Sequence, residues 1–135
     1  MATIIKEFII DTPPAKAWEA LRDFGAVHVK LAPGFLTACR MDGDAARIIT
    51  FGNGMTVREQ LVGIDEASKR LAYSATGGMA THHNASAQLF DAGGNRTRFV
   101  WTTDVLPDAA AKQIEPMMEL GAAAMKKTLE QARNG

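Results

Sequence analysis

The stretch RTRFVWTTDVLPDAAAKQIEPMMELGAAAMKKTLEQARNG, residues 96–135, changes period in its middle. Up to Val105 the pattern is that of a strand. Thr97, Phe99, Trp101, Thr103 and Val105 share the face expected inside, while Arg96, Arg98, Val100, Thr102 and Asp104 share the other. After Pro107 the spacing becomes helical. Ile114, Met117, Met118, Gly121, Ala122, Met125 and Leu129 make one apolar side, opposed by Lys112, Glu119, Lys126 and Glu130. A helix over about 108–133 would run ~39 Å. Asp108 is placed to cap it, and Pro116 should kink it or delay its start. Strand and helix each carry an apolar side that must be hidden. Laying the helix across the concave face of a twisted sheet hides both.

Upstream, short extended runs alternate with turn signals. FLTACRM, ARIITF, MTVREQLVGI, RLAYSA and HNASAQLF are separated by DGD, GNG, DEASK and TGG, and DAGGN precedes the final strand. Asp-Gly, Asn-Gly and Gly-Gly between such runs predict hairpins, so these strands form an antiparallel meander. Residues 2–10 supply one more strand. DTPPAKAWEALRDFG then reads as a helix, with Thr12 at its cap, Pro13 at its first position and Gly25 at its end. AVHVKL reads as a second short helix before APG. The expectation is an α+β domain over residues 1–135, a seven-stranded antiparallel curved sheet around a long C-terminal helix, with two short helices after the first strand.

Composition narrows the function classes. Apolar residues make up 47% of the chain, enough for a substantial core, and the formal net charge is +0. No basic stripe favours nucleic acid, and no apolar run is long enough for stable membrane insertion. The opening MATIIKEFII reads as a strand rather than a signal peptide. The lone Cys39 excludes an internal disulfide and a thiolate metal cluster, and fits a reducing cytoplasm. Cys39 is expected to be an inert strand residue rather than a nucleophile.

The strand period also sorts the polar residues. In HHNASAQLF, His83, Ala85, Ala87 and Leu89 face inward while His82 faces out, so the adjacent histidines cannot share one metal from a regular strand. His28 lies far off in sequence, and no metal site or cofactor is expected. Tyr73 falls on the inner face of its strand. Glu59 is an anomaly: a carboxylate on the same face as Met55, Val57 and Leu61, either paired with an arginine such as Arg47 or available for chemistry. Gly121 and Ala122 on the helix lie opposite Ala85 and Ala87, and such small residues either draw the layers together or leave space. A void of ~300 Å³, the low end for ligand pockets, would cost roughly 7 kcal/mol if left dry. Flexible methionines suit its lining. The candidate ligand-binding residues are therefore Glu59, Tyr73, His83, Phe99, Trp101, Met117, Met118, Gly121, Met125 and His28.

These residues together resemble the START-related SRPBCC superfamily with its helix-grip fold, and most closely its polyketide cyclase/dehydrase-like branch. The resemblance runs through IIDTPPAKAWEALRDFG, ARIITFGNGMTVREQLVGIDEASKRLAYSATGG and NASAQLFDAGGNRTRFVWTTDVLP, then the final helix. It implies one apolar cavity between helix and sheet for a lipid-, polyketide- or steroid-like molecule. Glu59 falls on the family's recurring Arg-Glu-x-Leu glutamate and Tyr73 on its recurring strand tyrosine. His83 stands where relatives commonly carry a pocket aromatic, and Leu31 replaces the tryptophan of a Trp-x-Pro signature that keeps Pro33. Three functions stay open. They are binding of a small hydrophobic molecule, a cyclase, dehydratase or isomerase using Glu59 or His83 as acid/base, and a ligand-gated interaction module or homodimer.

Overall fold

The computed structural model describes residues 2–133; residues 1, 134 and 135 of the expected domain lie outside the described residues. Strand β1 (Ala2–Ile10) is followed by α1 (Pro14–Arg22), a 3-10 turn (Phe24–Ala26) and α2 (Val27–Lys30). Then come β2 (Leu36–Met41), β3 (Ala46–Phe51), β4 (Thr56–Asp65), β5 (Arg70–Thr76), β6 (His82–Gly93) and β7 (Arg96–Leu106). A 3-10 turn (Asp108–Ala110) leads into α3 (Ala111–Arg133). The seven strands form one sheet in the order β1-β7-β6-β5-β4-β3-β2. Every neighbouring pair is antiparallel. This is the helix-grip arrangement, a curved open sheet wrapped around its last helix.

Turn chemistry joins the meander as expected. Gly43 and Gly54 adopt φ of +78° and +90° in the DGD and GNG turns, a region that side chains with a Cβ rarely enter. Register shifts interrupt simple alternation at three places: between Leu36 and Ala38 in the β2–β3 pair, between Leu61 and Gly63 in β4–β5, and between Asp91 and Gly93 in β6–β7.

The helix ends differ from expectation. Pro13 occupies the cap position of α1 and Pro14 begins the helix. Thr12 is not the cap; its buried hydroxyl donates instead to the Leu129 carbonyl of α3 at 2.8 Å, and Thr97 donates to the Thr12 carbonyl at 2.7 Å. A second proline fixes φ just where the helix must begin, which frees Thr12 for this tertiary role. Gly25 lies in the 3-10 turn beyond the end of α1 at Arg22. Before α3 the cap position falls on Pro107, and Asp108 sits inside the 3-10 turn. Pro116 lies within α3, where it removes one backbone donor from the helix ladder.

α3 is held along β1. Lys6 Nζ reaches Glu115 at 3.4 Å and Glu119 at 3.2 Å, while Lys126 Nζ donates to the Ile9 carbonyl at 2.7 Å. The apolar side of the helix is buried as the spacing predicts: Ile114, Met118, Ala122, Met125 and Leu129 are each at most 9% exposed. The interior has two parts. The larger cluster joins α1, α2 and most of the sheet to Met125 and Leu129, and the smaller one joins Ile4 and Val105 to Ala110, Ile114 and Met118. Trp101 packs against both.

Candidate functional site

Between α3 and the concave face lies a cavity of about 110 Å³. Its floor includes Leu71, Tyr73, Ala87, Phe99, Trp101 and Thr103, and its roof includes Ile114, Met117, Met118 and Met125. Arg47, Glu59 and His83 also reach it. Left dry, this volume would cost about 2.6 kcal/mol at ~24 cal/mol per Å³. The void is thus well below the ~300 Å³ anticipated, and tolerable within the roughly 5–15 kcal/mol stability of a domain. Its methionines, including Met55 and Met79, can repack around a guest at little cost.

The reduction has a visible cause. Ala85 and Ala87 of β6 are small, but the strands on either side lean over them. Tyr73 on β5 and Trp101 on β7 meet across β6, where the indole Nε1 donates to the Tyr73 hydroxyl oxygen at 3.2 Å. The Trp101 ring then reaches α3 beneath Gly121. A Cβ added at Gly121 would stand 3.2 Å from Trp101 Cη2 and 3.0 Å from Phe35 Cε2. Gly121 therefore serves as a slot for these rings and does not line the cavity. His28, on α2, does not line it either, and its Nδ1 is buried with no hydrogen-bond partner among the described residues. The other candidates, Glu59, Tyr73, His83, Phe99, Trp101, Met117, Met118 and Met125, all line the one cavity.

The polar groups are arranged by strand register. Arg47 and Glu59 face each other directly across β3 and β4. Arg47 Nη2 lies 2.6 Å and Nε 2.8 Å from Glu59 Oε1, with both side chains at most 8% exposed. Arg47 Nη1 also donates to the Phe24 carbonyl at 2.9 Å, and its guanidinium lies 3.8 Å from the Phe24 ring centre. Glu59 is thus the paired carboxylate of the two alternatives. Burial pushes the Tyr73 hydroxyl well above its usual range, with the Glu59 charge adding to the effect, so it stays a neutral hydrogen-bonding group. Burial also lowers the His83 pKa, aided by neighbouring His82, so the imidazole is neutral near pH 7. His82 is exposed, its Nε2 lying 2.8 Å from Asn84 Oδ1, and the two histidines point to opposite faces of β6. Cys39 is half-buried, and burial raises its thiol pKa, which disfavours the nucleophilic thiolate.

Thr103 is the site residue that sequence reasoning passed over. It is 1% exposed, and its Oγ1 has no hydrogen-bond partner among the described residues. The available signal was a hydroxyl in the inward row of β7, among Phe99, Trp101 and Val105.

A family model described as polyketide cyclase / dehydrase and lipid transport matches residues 1–130. The chain belongs to this family. No curated protein sequence matches it. Among solved structures it is similar to an uncharacterised protein from Bacillus thuringiensis, with TM-score 0.84 and 14% identity over 95% of this chain and 98% of that one. It is also similar to a START superfamily protein from Mycobacterium smegmatis, with TM-score 0.77 and 16% identity over 96% and 98% of the two chains. The Zhui aromatase/cyclase from Streptomyces sp. R1128 gives TM-score 0.75 and 16% identity over 98% of this chain and 93% of that one. At such identities the likeness is one of fold. The family supports a role in ligand binding or cyclisation. Among the described residues no helix is long and apolar enough to cross a membrane.

Proposed function

We propose that this protein binds a small, largely apolar molecule in the cavity between α3 and the sheet. The supporting observation is that a single cavity is walled by adaptable methionines and aromatic rings while Glu59, Tyr73, His83 and Thr103 bring polar atoms to the same space. Apolar walls with a few converging polar groups are the usual composition of a ligand site. A guest larger than a single ring requires the methionines to move, which their unbranched side chains permit. The test is native mass spectrometry of the purified protein, with and without organic extraction. A stoichiometric hydrophobic passenger, or saturable displacement of a fluorescent naphthalene reporter by lipid- or polyketide-like compounds, supports the reading. Absence of both defeats it.

A cyclase or dehydratase acting on a polyketide-like substrate is the second reading, and His83 is what favours it. An imidazole that is neutral near pH 7 and borders an apolar cavity is suited to general-base work. Glu59, tied to Arg47, is suited to orienting and charge-balancing the polar end rather than to proton abstraction. On this reading His83→Gln abolishes turnover and spares affinity. Equal turnover in the variant eliminates His83 as the base.

A further inference from the structure

We propose that the cavity contains a polar subsite, built on Thr103 and His83, that takes an uncharged oxygen function (a hydroxyl or a carbonyl) on a compact apolar ligand. This rests on the cavity being a ligand site and specifies what that ligand must carry.

Thr103 is the starting point. Among the described residues three threonines are buried: Thr12, Thr97 and Thr103. Thr12 donates to the Leu129 carbonyl at 2.8 Å and Thr97 to the Thr12 carbonyl at 2.7 Å. Thr103 Oγ1 alone of these has no partner. A buried hydroxyl without a partner is costly, and valine would give nearly the same shape without that cost. Thr103 lines the cavity, so a guest is well placed to supply the missing bond.

Register places other polar groups around it. Ala85 lies directly between Tyr73 on one side and Thr103 on the other. Its methyl leaves room above β6 at this point. His83 lies two residues from Ala85 on the same face and opposite Val105, which makes it the diagonal neighbour of Thr103. No hydrogen bond to the His83 ring is found among the described residues. The Tyr73 oxygen accepts from Trp101 Nε1, so its own proton is left to donate. Thr103 can donate or accept, and a neutral imidazole offers one donor and one acceptor. Either a hydroxyl or a carbonyl is thereby satisfied.

Charge argues for a neutral group. The Arg47 guanidinium is already engaged by Glu59 and the Phe24 carbonyl. A carboxylate guest would meet the Glu59 charge with no unengaged cation in the lining. Size argues for a compact one: the cavity measures about 110 Å³, and a dry cavity of about 150 Å³ is known to accept benzene.

Phenol and toluene have nearly the same shape and differ by hydroxyl against methyl. Titration calorimetry of each, into the wild type and variants, tests the subsite. The wild type is expected to bind phenol about five- to tenfold more tightly than toluene, the contribution of roughly one hydrogen bond. Thr103→Val should lose that preference, leave toluene affinity unchanged, and melt no lower than the wild type. Thr103→Ser should keep the preference, and His83→Phe should weaken phenol only. If toluene binds but phenol is not preferred, or Thr103→Val keeps the preference, the subsite is overturned while the cavity reading survives. A Thr103→Val protein that cannot fold, beside a folded Thr103→Ser, would mean the hydroxyl already has a structural partner, and would also overturn it. If neither probe binds the wild type, the subsite for a compact ligand is overturned, while the ligand-site reading is decided separately by the passenger and displacement measurements.

Discussion

Whether Glu59 is a structural ion or a chemical group is decided by what happens when Arg47 is taken away. The two side chains are in contact at 2.6 Å and at most 8% exposed, so neither has water to fall back on. Charge centres of a pair in contact lie about 4 Å apart, which is worth about 4 kcal/mol at an effective dielectric constant near 20. Breaking a buried pair by removing one partner costs ~3–5 kcal/mol, whereas replacing both partners with apolar groups of similar volume is often neutral. Arg47→Met also strips the Phe24 carbonyl of the donor at 2.9 Å. We expect Arg47→Met and Glu59→Met each to lose roughly 3–5 kcal/mol, and the double variant to lose about 2–4 kcal/mol less than their sum. Urea denaturation at neutral pH, followed by tryptophan fluorescence, gives all four corners of the cycle. Single losses of this size are a large part of a domain's stability, so the shifts in midpoint will be plain. If the three variants add to within ~0.5 kcal/mol, the residues are not energetically coupled. Glu59 would then be a free carboxylate in an apolar cavity, and the case for it as an acid/base would be restored.

Two further outcomes follow from single contacts. Gly121→Ala brings a methyl to 3.0 Å from Phe35 and 3.2 Å from Trp101, so an overpacking cost of ~1–3 kcal/mol should outweigh the ~1 kcal/mol helix-propensity gain. Thermal melting should show a net loss with altered Trp101 emission, and a stabilised variant would contradict the slot described for the ring. His83 has a pKa lowered from 6.5 chiefly by burial, so the unfolded chain takes up the proton first and stability should fall as pH drops through about 6.5, levelling off below the folded-state pKa. His83→Gln should lose that part of the slope in urea midpoints measured between about pH 7.5 and 5.5; an unchanged slope would place the titration elsewhere.

The architecture was legible because it follows from period. Alternation put Thr97, Phe99, Thr103 and Val105 inside, and each is at most 1% exposed; helical spacing put Ile114, Met118, Met125 and Leu129 inside as well. What period carries is which face a residue occupies. It does not carry what leans over that face from the neighbouring strands. Ala85 and Ala87 were rightly placed on the inner wall, but the space above them depended on Tyr73 and Trp101 meeting across β6, a matter of side-chain rotamers. Gly121 followed: a small residue expected to border a hollow instead receives a ring that arrives from β7. The hydroxyls follow the same rule. Thr97 and Thr103 lie six residues apart on one face of one strand, alike in every feature that sequence presents. Thr97 is satisfied by a carbonyl 85 residues away, where the chain passes from β1 into α1. Thr103 faces a cavity where, among the described residues, no carbonyl reaches its hydroxyl. A candidate ligand site is in this sense the place where partners fail to arrive from distant parts of the chain. Its polar contacts become visible only once every other buried hydroxyl has been matched to its partner.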